Sequence, residues 1–387
     1  MQPMATSTRP LIVEGRLVLD DRVEPGRIAV EDGRIAAVEV GDAVAERGPY
    51  IAPGFVDVHV HGAGGHDAMG DAVALDGMAR HLLRHGVTSF LPTAVSAPLS
   101  ALVGFADRVR AWLPDAPPDG AEPLGFNLEG PFLAEGRRGA HDATHLRAPA
   151  DFSRDDLERL LAGLRLVTIA PELPGAVDLI GWLRERGVAI SLGHSAATVV
   201  QARAGYAAGA TSTTHLFNGM TGVDHRAPGL AVAALLDDAA YVELVADGVH
   251  VDPALWPLIT RLKAVDRLLL VSDAIALAGV GDGRARIGSL EAEVEVEVAD
   301  GRATVIGTTT LAGSVIALDD AVRNLVASGV PLAAAVAAAS RNALAMLEIA
   351  GRGRIAVGQR ADLVELDEAL RVRRVMRGGT WFDGAVR

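Results

Sequence analysis

The sequence has 387 residues, of which half are hydrophobic, 4% are aromatic and none is cysteine, and its formal net charge is −13. The length predicts one large domain with a smaller one beside it, and the negative charge with few aromatics argues against a nucleic-acid partner. The lack of cysteine excludes disulfides and thiolate metal sites, so any metal must be held by histidine and carboxylate side chains.

No targeting or membrane segment is predicted. The opening stretch, MQPMATSTRPLIVEGRLVLDD, contains no long apolar run of the kind found in secretory signals. No apolar stretch elsewhere is long enough to cross a bilayer. We therefore expect a cytoplasmic protein with no membrane partner.

The two ends of the chain share a strand-rich pattern. LIVEGRLVLDD and GRIAVEDGRIAAVEV alternate apolar and polar residues around Glu-Gly and Asp-Gly turn signals. The far end, RGRIAVGQRADLVELDEALRVRRVMRGGTWFDG, has the same texture. These segments predict one small β-sandwich domain assembled from residues 1–52 and 353–387.

The middle of the chain, residues 53–352, alternates strands and helices. Eight apolar strands are predicted: GFVDVHVHG, VTSFLPTAV, PLGFNLEG, RLVTIAPEL, VAISLGHS, STTHLFN, YVELVADGVHV and RLLLVSDAI. Helical stretches such as DDLERLLAGL and AVDLIGWLRERG lie between them. Eight strands, each followed by a helix, predict an α/β fold, a (β/α)8 barrel of the TIM type. A hairpin insertion is expected at about 283–306, before the last barrel helix.

The motif DVHVHG ends the first predicted barrel strand and contains two histidines two residues apart. Residues i and i+2 of a strand point to the same face, so His59 and His61 are expected to project side by side. That geometry suits a metal ion, but the simple alternation of a strand also produces it. The pair alone leaves both interpretations open.

Further candidate residues fall at the ends of other predicted strands: Glu129 at the third, His194 at the fifth, His215 at the sixth, His250 at the seventh and Asp273 at the eighth. In this architecture active sites are built at the rim formed by the carboxyl ends of the strands. Each residue alone has a structural explanation, such as a hydrogen-bonded core histidine. Their convergence on one rim favours an active site.

His81 and His85 lie four residues apart in a predicted helix, as the metal-binding histidines of some proteases do. The sequence between them is HLLRH, without the glutamate of the H-E-x-x-H motif. We interpret both as surface residues. His66 and His145 lack converging partners in the sequence and are not assigned to the site.

Seven motifs, in order along the chain, resemble the N-acetylglucosamine-6-phosphate deacetylase family of the amidohydrolase superfamily. They are PGFVDVHVHG, NLEGPFL, RGAHD, SLGHS, THLFNGM, ADGVH and VSDAI. The resemblance covers essentially the whole chain, including the divided β domain. LEGPFL and HLFNGM are the most specific, because other amidohydrolases do not usually carry them.

The resemblance implies hydrolysis of the acetamide of N-acetyl-D-glucosamine 6-phosphate to glucosamine 6-phosphate and acetate. It implies that Glu129, His194 and His215 are ligands of a principal divalent metal, with Zn²⁺ or Fe²⁺ as the expected ion. Asp273 would be the general base and then the general acid. His141 would bind the substrate and polarise the acetamide carbonyl.

The resemblance also implies a phosphate-binding region and a homodimer. The residues expected to contact the substrate are Asn218, Gly219, Arg226, His250 and, within the glycine-rich segment GTTTLAGS, Leu311. An arginine offers a planar fork that matches phosphate oxygens. In this family the site is completed across a dimer, so Arg226, with a possible contribution from His225, would serve the neighbouring subunit.

Members of the family differ in their metal content, and the histidine pair bears on that difference. Some members lack the pair and use one metal, whereas others keep it. This sequence keeps His59 and His61. We therefore expect one or two ions per subunit, with a second site bridged to the first by Glu129.

Two other interpretations remain open. One is a different amidohydrolase reaction: deacetylation of another N-acetyl hexosamine 6-phosphate such as the galactosamine epimer, cyclic-amide hydrolysis or deamination. Arg226 and HLFNGM weigh against the unphosphorylated substrates. The other is a non-catalytic sugar-phosphate binding protein, against which the intact ligand set and Asp273 weigh.

Overall fold

The computed structural model describes residues 10–41, 47–288 and 293–384. Its strands, in chain order, are β1 (Leu11–Val18), β2 (Val23–Glu31), β3 (Arg34–Val40), β4 (Tyr50–Pro53), β5 (Phe55–Val60), β6 (Gly62–Ala63), β7 (His66–Asp67), β8 (Val87–Ala94), β9 (Glu122–Pro123), β10 (Phe126–Glu129), β11 (Leu164–Ile169), β12 (Ala189–Leu192), β13 (Ser212–Thr213), β14 (Tyr241–Leu244), β15 (Leu268–Leu270), β16 (Gly283–Ile287), β17 (Val294–Ala299), β18 (Arg302–Val305), β19 (Leu363–Leu366), β20 (Val372–Arg377) and β21 (Thr380–Asp383). The α-helices are α1 (Ala72–Arg84), α2 (Leu99–Trp112), α3 (Arg154–Leu161), α4 (Ala176–Arg184), α5 (Val199–Ala207), α6 (Leu230–Leu236), α7 (Trp256–Leu262), α8 (Leu318–Ala327), α9 (Leu332–Ala338) and α10 (Arg341–Met346).

Both ends of the chain build one small β domain. Its strands form a seven-stranded sheet in the order β21-β20-β19-β4-β1-β2-β3, in which only the β1–β4 pair is parallel. The sheet folds back on itself, because the turn at Gly33 packs against the turn at Gly378 and the Ala361 N–H donates to the carbonyl of Gly33 at 2.8 Å. An apolar core that includes Leu17, Ile28 and Leu363 lies within it. The predicted β domain built from both termini is confirmed.

The middle of the chain forms the predicted barrel. Eight parallel strands follow one another in the order β5-β8-β10-β11-β12-β13-β14-β15. Main-chain hydrogen bonds from Asp273 N to His59 O (2.9 Å) and from His61 N to Ala274 O (2.8 Å) connect the last strand to the first. Every residue of β5 and β8 is buried, as expected for strands covered by helices on the outside.

One end of the barrel is closed by a helix. Leu344 and Met346 of α10 pack in a cluster with Val56, Val58 and Leu269 from the strands. The opposite end, where the strands reach their carboxyl termini, is therefore the open one. Residues that directly follow the barrel strands therefore lie at this open end.

The insertion before α8 contains one strand more than the predicted hairpin. β16, β17 and β18 form a three-stranded antiparallel sheet. Its apolar face, with Ile287 and Val296, packs against Ile275 and Ala312 from segments beside the open end of the barrel. The insertion thus forms a wall next to the rim.

The prediction that His81 and His85 are surface residues is wrong. His85 is only 5% exposed, and its Nδ1 lies 3.0 Å from Oδ1 of Asp319 on α8. The half-buried His81 ring packs on it, with the ring centroids 4.8 Å apart. The local sequence could not show this, because the covering helix comes from more than two hundred residues further along the chain.

Among the described residues, none of the helices combines the length and the hydrophobicity that a membrane span requires.

Candidate active site

Glu129 is the centre of a cluster of polar side chains at the open end of the barrel. It ends β10, and its side chain is 4% exposed. Its Oε1 lies 3.0 Å from Nε2 of His194 and 2.9 Å from Nε2 of His215, and these two nitrogens are 3.1 Å apart. Three potential ligand atoms from three different strand ends therefore meet at one point.

A second group of potential ligand atoms lies beside the same carboxylate. Oε2 of Glu129 is 3.2 Å from Nε2 of His61, which in turn lies 3.2 Å from Nε2 of His59. Oδ1 of Asp273 is 3.3 Å from His61 Nε2 and 3.5 Å from His59 Nε2. His59 of β5 and His61, directly after it, project to the same side, as the alternation of a strand predicts.

The backbone that carries these ligands is strained. The φ angles of His194, His215 and Asp273 are 45°, 26° and 51°, in the left-handed region that residues with a Cβ seldom adopt. Such conformations cluster at functional sites, where the surrounding structure holds them. Gly219 is part of that support, because a Cβ there would lie 2.8 Å from Nδ1 of His194.

The hydrogen bonds of Nδ1 indicate the tautomers of His61 and His194. Nδ1 of His61 lies 3.2 Å from the carbonyl oxygen of Thr93, and Nδ1 of His194 lies 2.8 Å from that of Arg137. A carbonyl only accepts, so each Nδ1 must carry the proton. In the neutral ring the lone pair is then on Nε2, and Nε2 is the nitrogen that faces Glu129, as in a metal-binding histidine.

This donor set fits a divalent metal ion. Ligands bound at about 2 Å from one ion must lie about 3 Å from one another, and Glu129, His194 and His215 meet that condition. Imidazole nitrogens and carboxylate oxygens suit Zn²⁺, Fe²⁺ or a similar ion. Groups of side chains able to hold an ion are His59, His61 and Glu129, and Glu129, His141 and His194.

His141 differs from the other imidazoles of the cluster. Its Nδ1 accepts a hydrogen bond from the backbone N–H of Ser96 at 3.1 Å, so Nδ1 carries the lone pair and Nε2 carries the proton. That Nε2–H donates to Oε2 of Glu129 at 3.1 Å. Burial, opposed by the charge of Glu129, lowers the pKa of His141 to about 4. His141 is therefore a neutral hydrogen-bond donor, which suits it to a carbonyl oxygen better than to a metal ion.

The two carboxylates are held in their ionised form. Burial opposes the ionisation of Glu129, but its interactions with His59, His141 and His194 outweigh it and lower its pKa well below the ordinary value. Burial also opposes ionisation of Asp273, and a hydrogen bond to His61 together with nearby imidazole charge lowers its pKa. The negative charge at the centre suits a cation.

His250 reaches the site from the loop after β14. Its Nδ1 lies 2.7 Å from Oδ2 of Asp247, and its Nε2 lies 3.7 Å from Oδ2 of Asp273. The other oxygen of Asp247 accepts the backbone N–H groups of Val249 and His250, each at 2.8 Å. Burial lowers the pKa of His250, but the hydrogen bond to Asp247 and the charge of Asp273 outweigh it and raise the pKa. Asp247 therefore orients His250 and favours its charged form.

A pocket of about 280 Å³ opens above the cluster. Asn218, Gly219, His250 and Leu311 line it, together with apolar residues of the insertion wall. The Asn218 backbone N–H and side-chain amide donate to carbonyl groups of its own loop, at His215 and Leu216. Asn218 therefore orders this loop as well as lining the pocket.

The glycine-rich segment at 307–314 also reaches the pocket. Thr310, Leu311, Ala312 and Gly313 lie in its wall. A Cβ on Gly313 would lie 2.7 Å from the carbonyl oxygen of Asp273. Glycine is required at this position for the segment to pack against the backbone of Asp273.

Arg226 and His225 are predicted residues that the structure places away from both the pocket and the Glu129 cluster. Both are exposed on the loop after β13, and neither lines the pocket of its own chain. The carboxylate of Asp224 accepts the backbone N–H of Arg226 at 2.7 Å and shapes the loop.

Sequence reasoning missed several partners of the site. Glu243 accepts from Nδ1 of His59, Asp247 orients His250, and Ser96 fixes the tautomer of His141. Glu243 had a usable signal, because it is a single charge in the apolar strand YVEL. Ser96 had no signal in the sequence, because its contact with His141 is made by the backbone N–H and not by the side chain.

Comparison with known proteins identifies relatives over nearly the whole chain. Residues 50–382 match the Amidohydrolase family. The chain is 39% identical over 375 residues to the N-acetylgalactosamine-6-phosphate deacetylase of Escherichia coli O157:H7, covering 95% of this chain and 94% of that protein. It is 37% identical over 400 residues to the N-acetylglucosamine-6-phosphate deacetylase of Homo sapiens, covering 97% and 92%.

Solved structures of deacetylases also resemble this chain over nearly its whole length. The N-acetylglucosamine-6-phosphate deacetylase of Thermotoga maritima has a TM-score of 0.89 at 33% identity, covering 97% of this chain and 100% of that one. A mutant of the Mycobacterium smegmatis enzyme, in complex with N-acetyl-D-glucosamine-6-phosphate, has a TM-score of 0.86 at 37% identity, covering 97% and 99%. Barrel, ligand cluster and relatives agree, and the chain belongs to the amidohydrolase family.

Proposed function

We propose that the protein is a metal-dependent deacetylase that hydrolyses the acetamide of N-acetyl-D-glucosamine 6-phosphate to glucosamine 6-phosphate and acetate. The observation that carries this proposal is the environment of His141. Its Nε2–H is a fixed donor beside Glu129, whose carboxylate also meets His194 and His215. A hydrogen-bond donor next to a metal-binding group is what an amide carbonyl requires during hydrolysis.

Glu129, His194 and His215 would hold the principal ion. When bound, a divalent cation supplies Lewis-acid chemistry, because it acidifies a water molecule and polarises a carbonyl group. Zn²⁺ and Fe²⁺ suit this set of nitrogen and oxygen donors.

The protein residues account for the proton transfers of the reaction. Asp273 is an ionised carboxylate at the floor of the pocket and accepts a proton from the attacking water. As the new C–O bond forms, negative charge develops on the acetamide oxygen, and the Nε2–H of His141 donates to it. As the C–N bond breaks, Asp273 returns the proton to the sugar nitrogen, and acetate and the free amine leave.

His59 and His61 would form a second metal site, with Glu129 bridging the two. Oε1 of Glu129 lies 3.0 Å from Nε2 of His194, and Oε2 lies 3.2 Å from Nε2 of His61, so the carboxylate contacts both groups, which supports a bridge. Oδ1 of Asp273 faces His59 and His61 and adds a further oxygen donor to this group. We propose two ions per subunit when the protein is fully loaded.

In a homodimer, residues of both subunits would bind the phosphate of the substrate. Asn218, Gly219, His250 and Leu311 line the pocket of one chain, while Arg226 lies on an exposed loop outside it. An arginine supplied by a second subunit would complete the site, since the pocket needs a charged partner for phosphate. The charged, phosphorylated substrate supports a cytoplasmic location.

A second candidate substrate is the 6-phosphate of N-acetylgalactosamine. The relative from Escherichia coli O157:H7, at 39% identity, is named for that activity. The two sugars differ only in the configuration of one hydroxyl group. A pocket can distinguish them only by its contacts with that hydroxyl.

Acetate release from four sugars tests these proposals. Purified metal-loaded protein would be assayed with N-acetylglucosamine and N-acetylgalactosamine, each as the 6-phosphate and as the free sugar. We expect kcat/KM for N-acetylglucosamine 6-phosphate to exceed that for the free sugar by about 100-fold, since the charged contacts of the phosphate are lost. Equal rates with the free sugar would contradict the phosphate site, and a higher kcat/KM for the galactosamine epimer would favour the second candidate.

A further inference from the structure

The carboxylate of Glu243 lies behind the histidine pair of the first barrel strand. Glu243 belongs to β14, and its side chain is fully buried. Its Oε2 is 3.1 Å from Nδ1 of His59. The same oxygen accepts the backbone N–H of His215 at 3.2 Å. Glu243 thus contacts one residue from each of the two ligand groups.

A carboxylate in this position determines how His59 presents its ring. Nδ1 donates its proton to Glu243, so in the neutral ring the lone pair is on Nε2, which faces Asp273 at 3.5 Å and Glu129 at 3.6 Å. His61 and His194 donate the same proton to main-chain carbonyl groups instead. A carboxylate makes an imidazole a stronger metal ligand than a neutral carbonyl does, because it supports more charge on the ring.

The strand itself gives no structural reason for a charge here. Val242 and Leu244 on either side are fully buried apolar residues. Oε1 of Glu243 is buried and has no hydrogen-bond partner among the residues that the structure describes. A buried carboxylate oxygen without a partner is unfavourable, so its presence points to a role in the site.

We propose that Glu243 is a positioning residue for the second metal site, where it holds His59 in the tautomer and orientation that bind an ion. The inference rests on the proposed binding of a second ion by His59 and His61. Glu243 also accepts the backbone N–H of His215, and this contact connects the second metal site to the strained backbone of the first metal site.

The test measures metal binding rather than activity. Metal-free wild type and the Glu243→Gln variant would be titrated with Zn²⁺ against a competing chelator, and bound metal would be counted by elemental analysis. We expect one of the two ions to bind about 10–100-fold more weakly in the variant, as is typical when a partner of a ligand is removed. The other ion should bind as in wild type.

Asp319→Asn is the matched control. Asp319 is also a buried carboxylate beside Nδ1 of a histidine, at 3.0 Å from His85, but that histidine is outside the ligand cluster. This variant should bind both ions with wild-type affinity. An equal loss of metal in both variants would mean that Glu243 acts only through general stability, and would overturn the proposal.

A double variant shows whether Glu243 acts through His59. His59→Asn alone should lose the second ion, and adding Glu243→Gln should change metal binding no further. An additional loss of the first ion in the double variant would overturn the assignment. If the glutamine variant does not fold, Glu243→Asp tests the same contact. Aspartate keeps the charge, but its side chain is one methylene shorter and draws the carboxylate away from His59. Unchanged metal affinity in this variant would also overturn the proposal.

The same titrations separate the two proposals. Wild type that binds two ions, loses one in His59→Asn and keeps both at full affinity in Glu243→Gln would contradict the role of Glu243 alone. Wild type that binds a single ion, unchanged in His59→Asn, would contradict the second site and with it the role of Glu243.

Discussion

At the scale of single residues, the hydrogen-bond partner of each imidazole decides what the ring can do. His61 and His194 donate from Nδ1 to carbonyl groups, which leaves the inner nitrogen of the neutral ring with a lone pair. His141 accepts at Nδ1 from a backbone N–H and keeps a proton on the inner nitrogen. Chemically identical side chains within one cluster are thereby suited to different tasks, which in the proposed function are metal binding and carbonyl polarisation.

Replacement of Asp273 by asparagine tests its role in proton transfer. The amide cannot accept the proton of the attacking water, so we expect kcat to fall by about 10²–10⁴-fold. Thermal stability and the ion held by Glu129, His194 and His215 should be retained. A variant that hydrolyses as fast as wild type, with its metal content measured in the same preparation, would exclude Asp273 as the base.

Some features of the site follow from the sequence and others do not. The two-residue period of a strand predicts that His59 and His61 face the same way, and they do. The partner of His59 is Glu243, which lies 184 residues away and reaches it only because the barrel closes. Local patterns carry no information about such a contact.

At the scale of elements, a buried polar link connects the first helix of the barrel with the last. His85 at the end of α1 pairs with Asp319 of α8, and Asp319 also accepts from Arg323 at 2.7 Å. Both side chains of the His85–Asp319 pair are 6% exposed. The link joins helices that are adjacent only because the barrel closes, so it bears on the stability of the closed fold.

The Asp319→Asn variant should be less stable than wild type. An asparagine amide has one acceptor oxygen where the carboxylate has two, so one of the donors on His85 and Arg323 is left unsatisfied. We expect a loss of about 1–3 kcal/mol in the free energy of unfolding. Urea denaturation of metal-free protein measures it. Asp119→Asn, which breaks an exposed ion pair with Arg80, should change stability little; equal losses in the two variants would contradict the importance of the link.

The contribution of Asp319 to the free energy of unfolding should decrease at acid pH. Burial raises its pKa, but the hydrogen bond to His85 and the charges of His85 and Arg323 outweigh it and lower the pKa below the ordinary value. The stability that its ionisation adds is therefore present above the unfolded pKa of about 3.9 and is lost as the pH falls through the folded value. The difference between wild type and Asp319→Asn should shrink below about pH 4; a constant difference would contradict this.

The elements themselves were largely predictable, because period and turn signals are local. The barrel strands read as apolar runs since both of their faces are buried. The insertion was expected as a hairpin, yet Arg302–Val305 adds a third strand. This strand is four residues long, which is too short for an alternating pattern to stand out.

At the scale of the whole molecule, the position of Arg226 bears on subunit assembly. The arginine assigned to the phosphate lies on an exposed loop outside its own pocket. The proposed homodimer, in which Arg226 would reach the neighbouring pocket, would account for both the assignment and the position. The resemblance names the residue, but the sequence does not tell which subunit's pocket it would serve, because that depends on assembly.

Mixed dimers test this arrangement. Arg226→Ala and Asp273→Asn chains, each nearly inactive alone, would be unfolded together and refolded as a mixture. If Arg226 acts across the interface, a mixed dimer has one site with both native residues, and about a quarter of wild-type activity should return. Activity no higher than the average of the two parents would show that each chain supplies its own arginine.

The dependence of acetate release on bound metal tests the central claim most directly. Protein stripped with a chelator would be assayed with N-acetyl-D-glucosamine 6-phosphate while Zn²⁺ or Fe²⁺ is added in known equivalents. We predict no acetate release from the metal-free protein and recovery of activity as the site at Glu129, His194 and His215 fills. Full activity in the metal-free protein, or none at any metal content, would contradict a metal-dependent deacetylase.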